Sequence, residues 1–342
     1  MTRARIVLAV QALVSLVVIG LLWADAGPGR VRQAFAGVDP AWVAAAAAVQ
    51  ACGLLLRATR VWFAMDRAAP YAVVLKGALT ANLGHLLVPT RVADLAGAVW
   101  IARRAGLPVE RGVAGYATAG FLEALAFGTG LMGLFAGAAP VIEQVMTGGQ
   151  RREALGWVTL ATLGGVAVAA VALRVIGRWS AGPSDPWGRG GGAPPATPPP
   201  RSSGSVLFAR VVGAAEQART VLARPGPLAL NLLLGAAQIV CMLGVFRCAL
   251  ASVGLEVPAP WLCGALVMAT GAVGGLVLPP HYGANTSAAA TLVLTPFGAT
   301  APEALAFGGV LWFAAAAPDV TLGLVGLWLG GGAAVREEPG AA

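Results

Sequence analysis

Lysine is almost missing from this chain: Lys76 is the only one among 23 basic residues, set against 15 acids in 342 positions. Charged residues make up 11% of the sequence, where soluble domains carry about 25%. That shortage excludes a water-soluble fold of this length. The net charge of +8 sits on arginines scattered between apolar stretches, in a chain rich in Ala and Gly. With no compact basic domain, a nucleic-acid partner is not expected. Cysteine is scarce too. Cys52, Cys241, Cys248 and Cys263 all lie in apolar stretches, where they read as small packing residues. No CxxC or Cys/His spacing points to a metal. There is no HExxH, no Ser/His/Asp constellation and no paired-Asp motif, so neither an enzyme nor a bound cofactor is expected.

What is abundant is uninterrupted apolar sequence. The stretches 6–23, 155–173 and 228–246 contain no Asp, Glu, Lys or Arg, and 113–142 and 304–332 contain one each, Glu123 and Asp319. A bilayer crossing takes about 20 such residues, and the ten-residue alternation of a transmembrane β-barrel is absent. The sequence therefore predicts an all-α polytopic integral membrane protein. Six full spans are expected, at about 6–23, 41–58, 113–137, 155–174, 228–250 and 304–332. Arg3 and Arg5 before the first run suggest an uncleaved span rather than a removable signal.

Two further apolar segments are broken. The first, about 71–102, has arms at 71–88 and 92–102 around Pro89, and arginines flank it on both sides. Its second arm has roughly half the length of a crossing, so the segment is expected to enter and leave on one side. The second, about 261–297, lies in a stretch (257–302) without Asp, Glu, Lys or Arg and is interrupted by Pro279, Pro280, His281, Tyr282 and Gly283. Gly84-His85-Leu86-Leu87-Val88-Pro89 and Gly274-Gly275-Leu276-Val277-Leu278-Pro279 resemble each other. Gly/Pro-interrupted segments at matching places in two inverted halves point to a transporter's substrate site. The expected organisation is an N-terminal membrane half at 1–177, a disordered Gly/Pro linker at 178–205, an interfacial amphipathic helix at 206–224, and a C-terminal membrane half at 225–335. Positive charge marks the cytoplasmic side, which predicts a multi-pass protein of the cell membrane with both termini inside and the cluster Arg57, Arg60, Arg67 and Lys76 in a cytoplasmic loop.

Asn82, Pro89, Arg91 and Asp94, followed by Glu123 in the next span and by Leu278-Pro279 with Gly283 and Asn285 later, resemble the signatures of the flippase-like family that includes the membrane region of lysylphosphatidylglycerol synthase. In the first signature Asn, Pro and Arg are kept, both Gly are replaced, Glu is shortened to Asp94, and a trailing basic residue falls at Gly97. The resemblance implies a lipid-handling membrane protein. No aminoacyl-transfer domain follows in the sequence, so lipid aminoacylation is not expected.

Ionisable groups at membrane depth cost about 2.5–3.5 kcal/mol each on insertion scales, so each needs a reason. Arg91 and Asp94, three apart, can share a helix face, either meeting a headgroup or forming an interfacial ion pair. Glu123 either pairs with Arg91 or a substrate ammonium, or is a protonated packing residue. Asp319, which follows Pro318, either lines the substrate path or bonds backbone freed by the proline. His85 and His281 are either a proton relay or backbone-satisfying residues. Asn82, Tyr282, Asn285 and Thr286 either line a polar cavity or cap the short arms. The leading reading is a flippase or transporter for an anionic, aminoacylated or glycan-linked lipid. The alternative is a membrane scaffold or regulator of a lipid or cell-envelope enzyme, either as a homo-oligomer or with that enzyme as partner.

Overall fold

Asp39 starts the first long helix of the bundle: its carboxylate accepts from the Ala41 N–H at 2.8 Å, and Pro40 occupies the first turn, where no N–H is needed. The computed structural model describes residues 3–85, 90–145, 224–274 and 283–331, and no strand occurs among them. Before that start lie α1 (Arg3–Ala26) and α2 (Pro28–Ala36). Gly27, at φ 83°, turns the chain through 93° between them. Positive φ is open to glycine because it lacks a Cβ. The predicted loop after the first span is thus largely a short helix, which buries Val31 beside Ala26 and Leu305. α3 (Pro40–Ala64) then runs six residues beyond the expected end of its span. That extension carries Arg60 out of the predicted loop and into the bundle.

The first broken segment folds as α4 (Tyr71–His85) and α5 (Thr90–Arg104). Gly77 lies against Ile101, Ala81 against Gly97, and Gly84 against Ala93, so the two helices run antiparallel. Small residues on both faces let the backbones approach closely. Each arm has 15 residues, about 22 Å of helix, against a hydrocarbon core of about 30 Å. Neither arm alone is long enough to cross such a core. α6 (Val109–Val145) then packs antiparallel to α3, with Gly115 against Met65 and Ala119 beside Arg60.

The second half repeats the plan. α7 (Pro225–Val253) ends on Gly254 in the left-handed conformation (φ 69°), followed by α8 (Pro260–Gly274), α9 (Ala284–Leu294), a 3-10 turn (Thr295–Phe297) and α10 (Ala301–Gly331). α8 and α9 pack side by side, tied by the Asn285 Nδ2–H, which donates to the Gly271 carbonyl at 2.6 Å. α3 and α7 meet antiparallel along a seam of Gly53 with Cys241, Val49 with Gly244, and Arg60 with Gly235. Exchanging α3, α4, α5 and α6 for α7, α8, α9 and α10 carries each main contact of one half onto a contact of the other: α4 with α5 becomes α8 with α9, α5 with α6 becomes α9 with α10, and α3 with α10 becomes α7 with α6. This is an inverted repeat.

α3, α6, α7 and α10 are each long and apolar enough to cross a membrane, and α1 with α2 makes a fifth candidate as a bent pair. The expected span at 155–174, the linker at 178–205 and all of the amphipathic helix at 206–224 except Arg224 lie outside the described residues. Arg224 donates to Asp66 at 2.8 Å and joins the start of α7 to the turn after α3. The main apolar core lies between α7, α8, α9 and α10, where Phe246 and Phe307 meet edge to face at 4.8 Å. The perimeter is apolar as well: Leu16, Leu233, Leu292 and Trp328 are exposed, as suits a surface solvated by lipid.

Candidate functional site

Arg57 and Arg60 stand one turn apart on α3, within the bundle. Arg60 is completely buried. Its Nη1 donates to Glu123 at 3.0 Å and to the Gln238 side-chain oxygen at 2.7 Å, its Nη2 to the Ala119 carbonyl at 2.6 Å, and its Nε to the Asn231 side-chain oxygen at 3.3 Å. Asn231 in turn donates to the Arg60 carbonyl at 3.0 Å. One guanidinium therefore ties α3, α6 and α7 together. A charge with no water around it is tolerated only when paired and hydrogen-bonded in this way.

Arg57 points instead toward the first hairpin. Its Nη1 donates to the Asn82 side-chain oxygen at 2.9 Å and its Nη2 to Asp94 Oδ1 at 2.6 Å. His85 Nε2 lies 3.0 Å from the same Asp94 oxygen. Asp94 thus joins α3 to both arms of the hairpin. Two polar atoms beside this cluster, Asn82 Nδ2 and the Tyr116 hydroxyl, are buried without a hydrogen-bond partner among the described residues. Together these groups form a polar belt running from the hairpin across α3 to α6 and α7.

The belt contains several residues expected from the sequence, with different partners. Asp94 meets Arg57 and His85; Arg91 lies in the first turn of α5, and its side chain is outside the described residues. Glu123 pairs with Arg60 rather than with Arg91, because α3 continues far enough to place Arg60 opposite it. Asp319 does not take the expected role beside its proline among the described residues: its Oδ1 is buried with no hydrogen-bond partner there. Asn285 braces the two arms of the second hairpin, and Thr286 follows it, half-buried, on α9. Gly283 caps that helix at φ 75°, against Trp312. Pro89, Pro279, His281 and Tyr282 lie outside the described residues, so the histidine relay has one described member, His85.

Sequence reasoning missed Arg57, Arg60, Tyr116, Asn231 and Gln238. Asn231 and Gln238 are seven apart in a span without charge, two turns along one helix face, and that spacing was a readable signal. The charge bias of cytoplasmic ends assigns the two arginines to the loop after the second span. Among the described residues, no group of three or more His, Cys, Asp and Glu is placed to hold a metal.

The family described as "Lysylphosphatidylglycerol synthase TM region" matches the chain over residues 8–323. The chain belongs to this family. No curated protein matches it. The packing of the hairpin accounts for one departure from the family signature. A Cβ at Gly97 would meet Ala81 Cβ at 2.7 Å and the Gly77 carbonyl at 3.2 Å, so a basic side chain there would force α4 and α5 apart.

Proposed function

We propose that this chain moves a lipid across the cell membrane, admitting its headgroup to the polar belt beside the first hairpin, without covalent chemistry. The observation that carries this reading is the Asn82–Arg57–Asp94–His85 cluster, a set of charged and polar groups held within a helical membrane protein by a hairpin too short to cross. Such groups at membrane depth mark substrate paths. Family membership supports a lipid as cargo. Arg67, Lys76, Arg103, Arg104 and Arg224 gather at the end where the first hairpin opens, and positive charge favours the cytoplasm. The headgroup would therefore enter from inside, and both termini would lie there. Anionic, aminoacylated and glycan-linked headgroups all offer acceptors to Arg57, which has two of its five N–H groups engaged among the described residues.

The test is translocation of labelled lipids by purified protein in liposomes. Arg57→Ala removes charged hydrogen bonds of about 1.5–3 kcal/mol, so the rate should fall by about one to two orders of magnitude. An unchanged rate would sink the role of the belt. A second reading draws on the saturation of Arg60: a site so fully bonded to protein also suits a non-transporting scaffold for a lipid or envelope enzyme. Movement of no lipid class, together with co-purification of such an enzyme, would favour that reading.

A further inference from the structure

Each carboxylate of the belt meets a guanidinium, Asp94 that of Arg57 and Glu123 that of Arg60. Asp319 breaks the pattern. It lies on α10, in the other half of the repeat, with Oδ1 buried and no hydrogen-bond partner among the described residues. Leaving a carboxylate ionised in such a place is expensive, and protonation removes the cost. α10 packs on both α3 and α4, and Gly323, one turn beyond Asp319, lies against Leu83, next to the Asn82 that Arg57 holds, so Asp319 stands at the Arg57 end of the hairpin.

We propose that Asp319 is a proton-binding site that competes with Asp94 for Arg57, and so couples protonation to the position of the first hairpin. The inference rests on the transport reading above. With Arg57 on Asp94, as here, Asp319 holds a proton. When that proton leaves to water, the carboxylate draws Arg57 Nη2 across, the Arg57–Asp94 bond breaks, and the second arm of the hairpin, α5, loses its tie to α3. Asp94 then keeps His85 Nε2, 3.0 Å from its Oδ1 here, as its hydrogen-bond partner. Uptake of a proton by Asp319 returns Arg57 to Asp94.

The surroundings suit such an exchange. Pro318 withholds the N–H that would continue the helical ladder at this level, which makes it a natural place for α10 to flex. Just beyond, Gly323 sits against Leu83 and Gly326 against Leu79 and the Lys76 carbonyl, so movement of α10 is passed directly to α4. The charged groups packed around α10 are few. α3 brings Arg57, the hairpin brings His85 and Asp94 at one end and Lys76 at the other, and α9 brings none. α7 carries Arg247, near its end away from Arg224; α1 carries Asp25 and α2 carries Arg30 and Arg32, all at that opposite end.

Two measurements test this. Infrared spectroscopy of the protein in lipid at neutral pH should show a protonated-carboxyl band that disappears in Asp319→Asn and persists in Asp319→Glu. An identical band in wild type and Asp319→Asn overturns the proposal, whatever transport does. In proteoliposomes, an imposed pH gradient should change wild-type lipid translocation at least fivefold, and the ratio of rates with and without the gradient should fall to one in Asp319→Asn. A wild-type ratio of one, with lipid moving, overturns the coupling. If no lipid moves in wild type while the band behaves as expected, the transport reading fails and the protonated carboxyl stands.

Discussion

Arg60 directs four of its five N–H groups at protein atoms from α6 and α7, whereas Arg57, one turn earlier, gives two to the hairpin. The first is a structural tie and the second is able to exchange partners. Arg60→Ala removes a fully buried guanidinium and leaves Glu123, whose side chain is 32% exposed, without its cation; breaking a fully buried pair costs about 3–5 kcal/mol, an upper bound here. A large drop in thermal stability in detergent is expected, with much of it recovered in Arg60→Met combined with Glu123→Leu. Equal stability of Arg60→Ala and wild type would refute the tie. Gly97 gives a smaller prediction of the same kind. Gly97→Ala places a methyl against Ala81 and should cost about 1–3 kcal/mol by overpacking. Gly120→Ala, where the added methyl meets nothing within 4 Å, should be neutral or stabilising by up to about 1 kcal/mol. Opposite signs in unfolding midpoints would confirm the contrast.

At the scale of elements, the hairpin makes a prediction independent of transport. The turn at Met65–Pro70 and the turn at Ala105–Pro108 precede and follow it on one side of the bundle. Single cysteines at Ala68 and Pro108, in a cysteine-free background, should react with an impermeant thiol reagent from the same side of a sealed vesicle. Labelling from opposite sides would defeat the re-entrant reading. The elements themselves were legible in the sequence because a membrane span has a coarse signature, a charge-free run of sufficient length. That the segment 71–102 is broken was legible too, but not the length of its second arm, which has 15 residues like the first and not the expected 11. The belt was less so, because it is assembled across helices: Arg60 and Gln238 are 178 positions apart, and no local pattern announces their contact. The end of α3 also misled. Arginines near a cytoplasmic boundary resemble topology signals whether they face water or turn inward, and the six extra residues of α3 decide between the two. Asp94 and Glu123 were recognisable as buried charges in need of partners; their partners were not recognisable.

For the whole molecule, the inverted repeat requires α3 and α7 to lie antiparallel with Gly53 opposite Cys241. A Cβ at position 53 would lie 3.6 Å from that of Cys241, inside the range of disulfides. Gly53→Cys, with the neighbouring Cys52 changed to Ser, should form an oxidative cross-link to Cys241 that mass spectrometry detects as a single linked peptide pair. Absence of the link under conditions that oxidise a control pair would rule out the register.

The glycines along this seam, and those of α10 against α4, have a mechanical consequence. Interlocked side chains resist sliding because each knob must leave its hole before the next position is reached. Gly53, Gly235 and Gly244 on one contact and Gly323 and Gly326 on the other present nearly smooth backbone instead. Shear along these lines separates few side chains, so on the α3–α7 seam the resistance to it is concentrated in the hydrogen bonds of Arg60 to Asn231 and Gln238, which act as detents on an otherwise low-friction track.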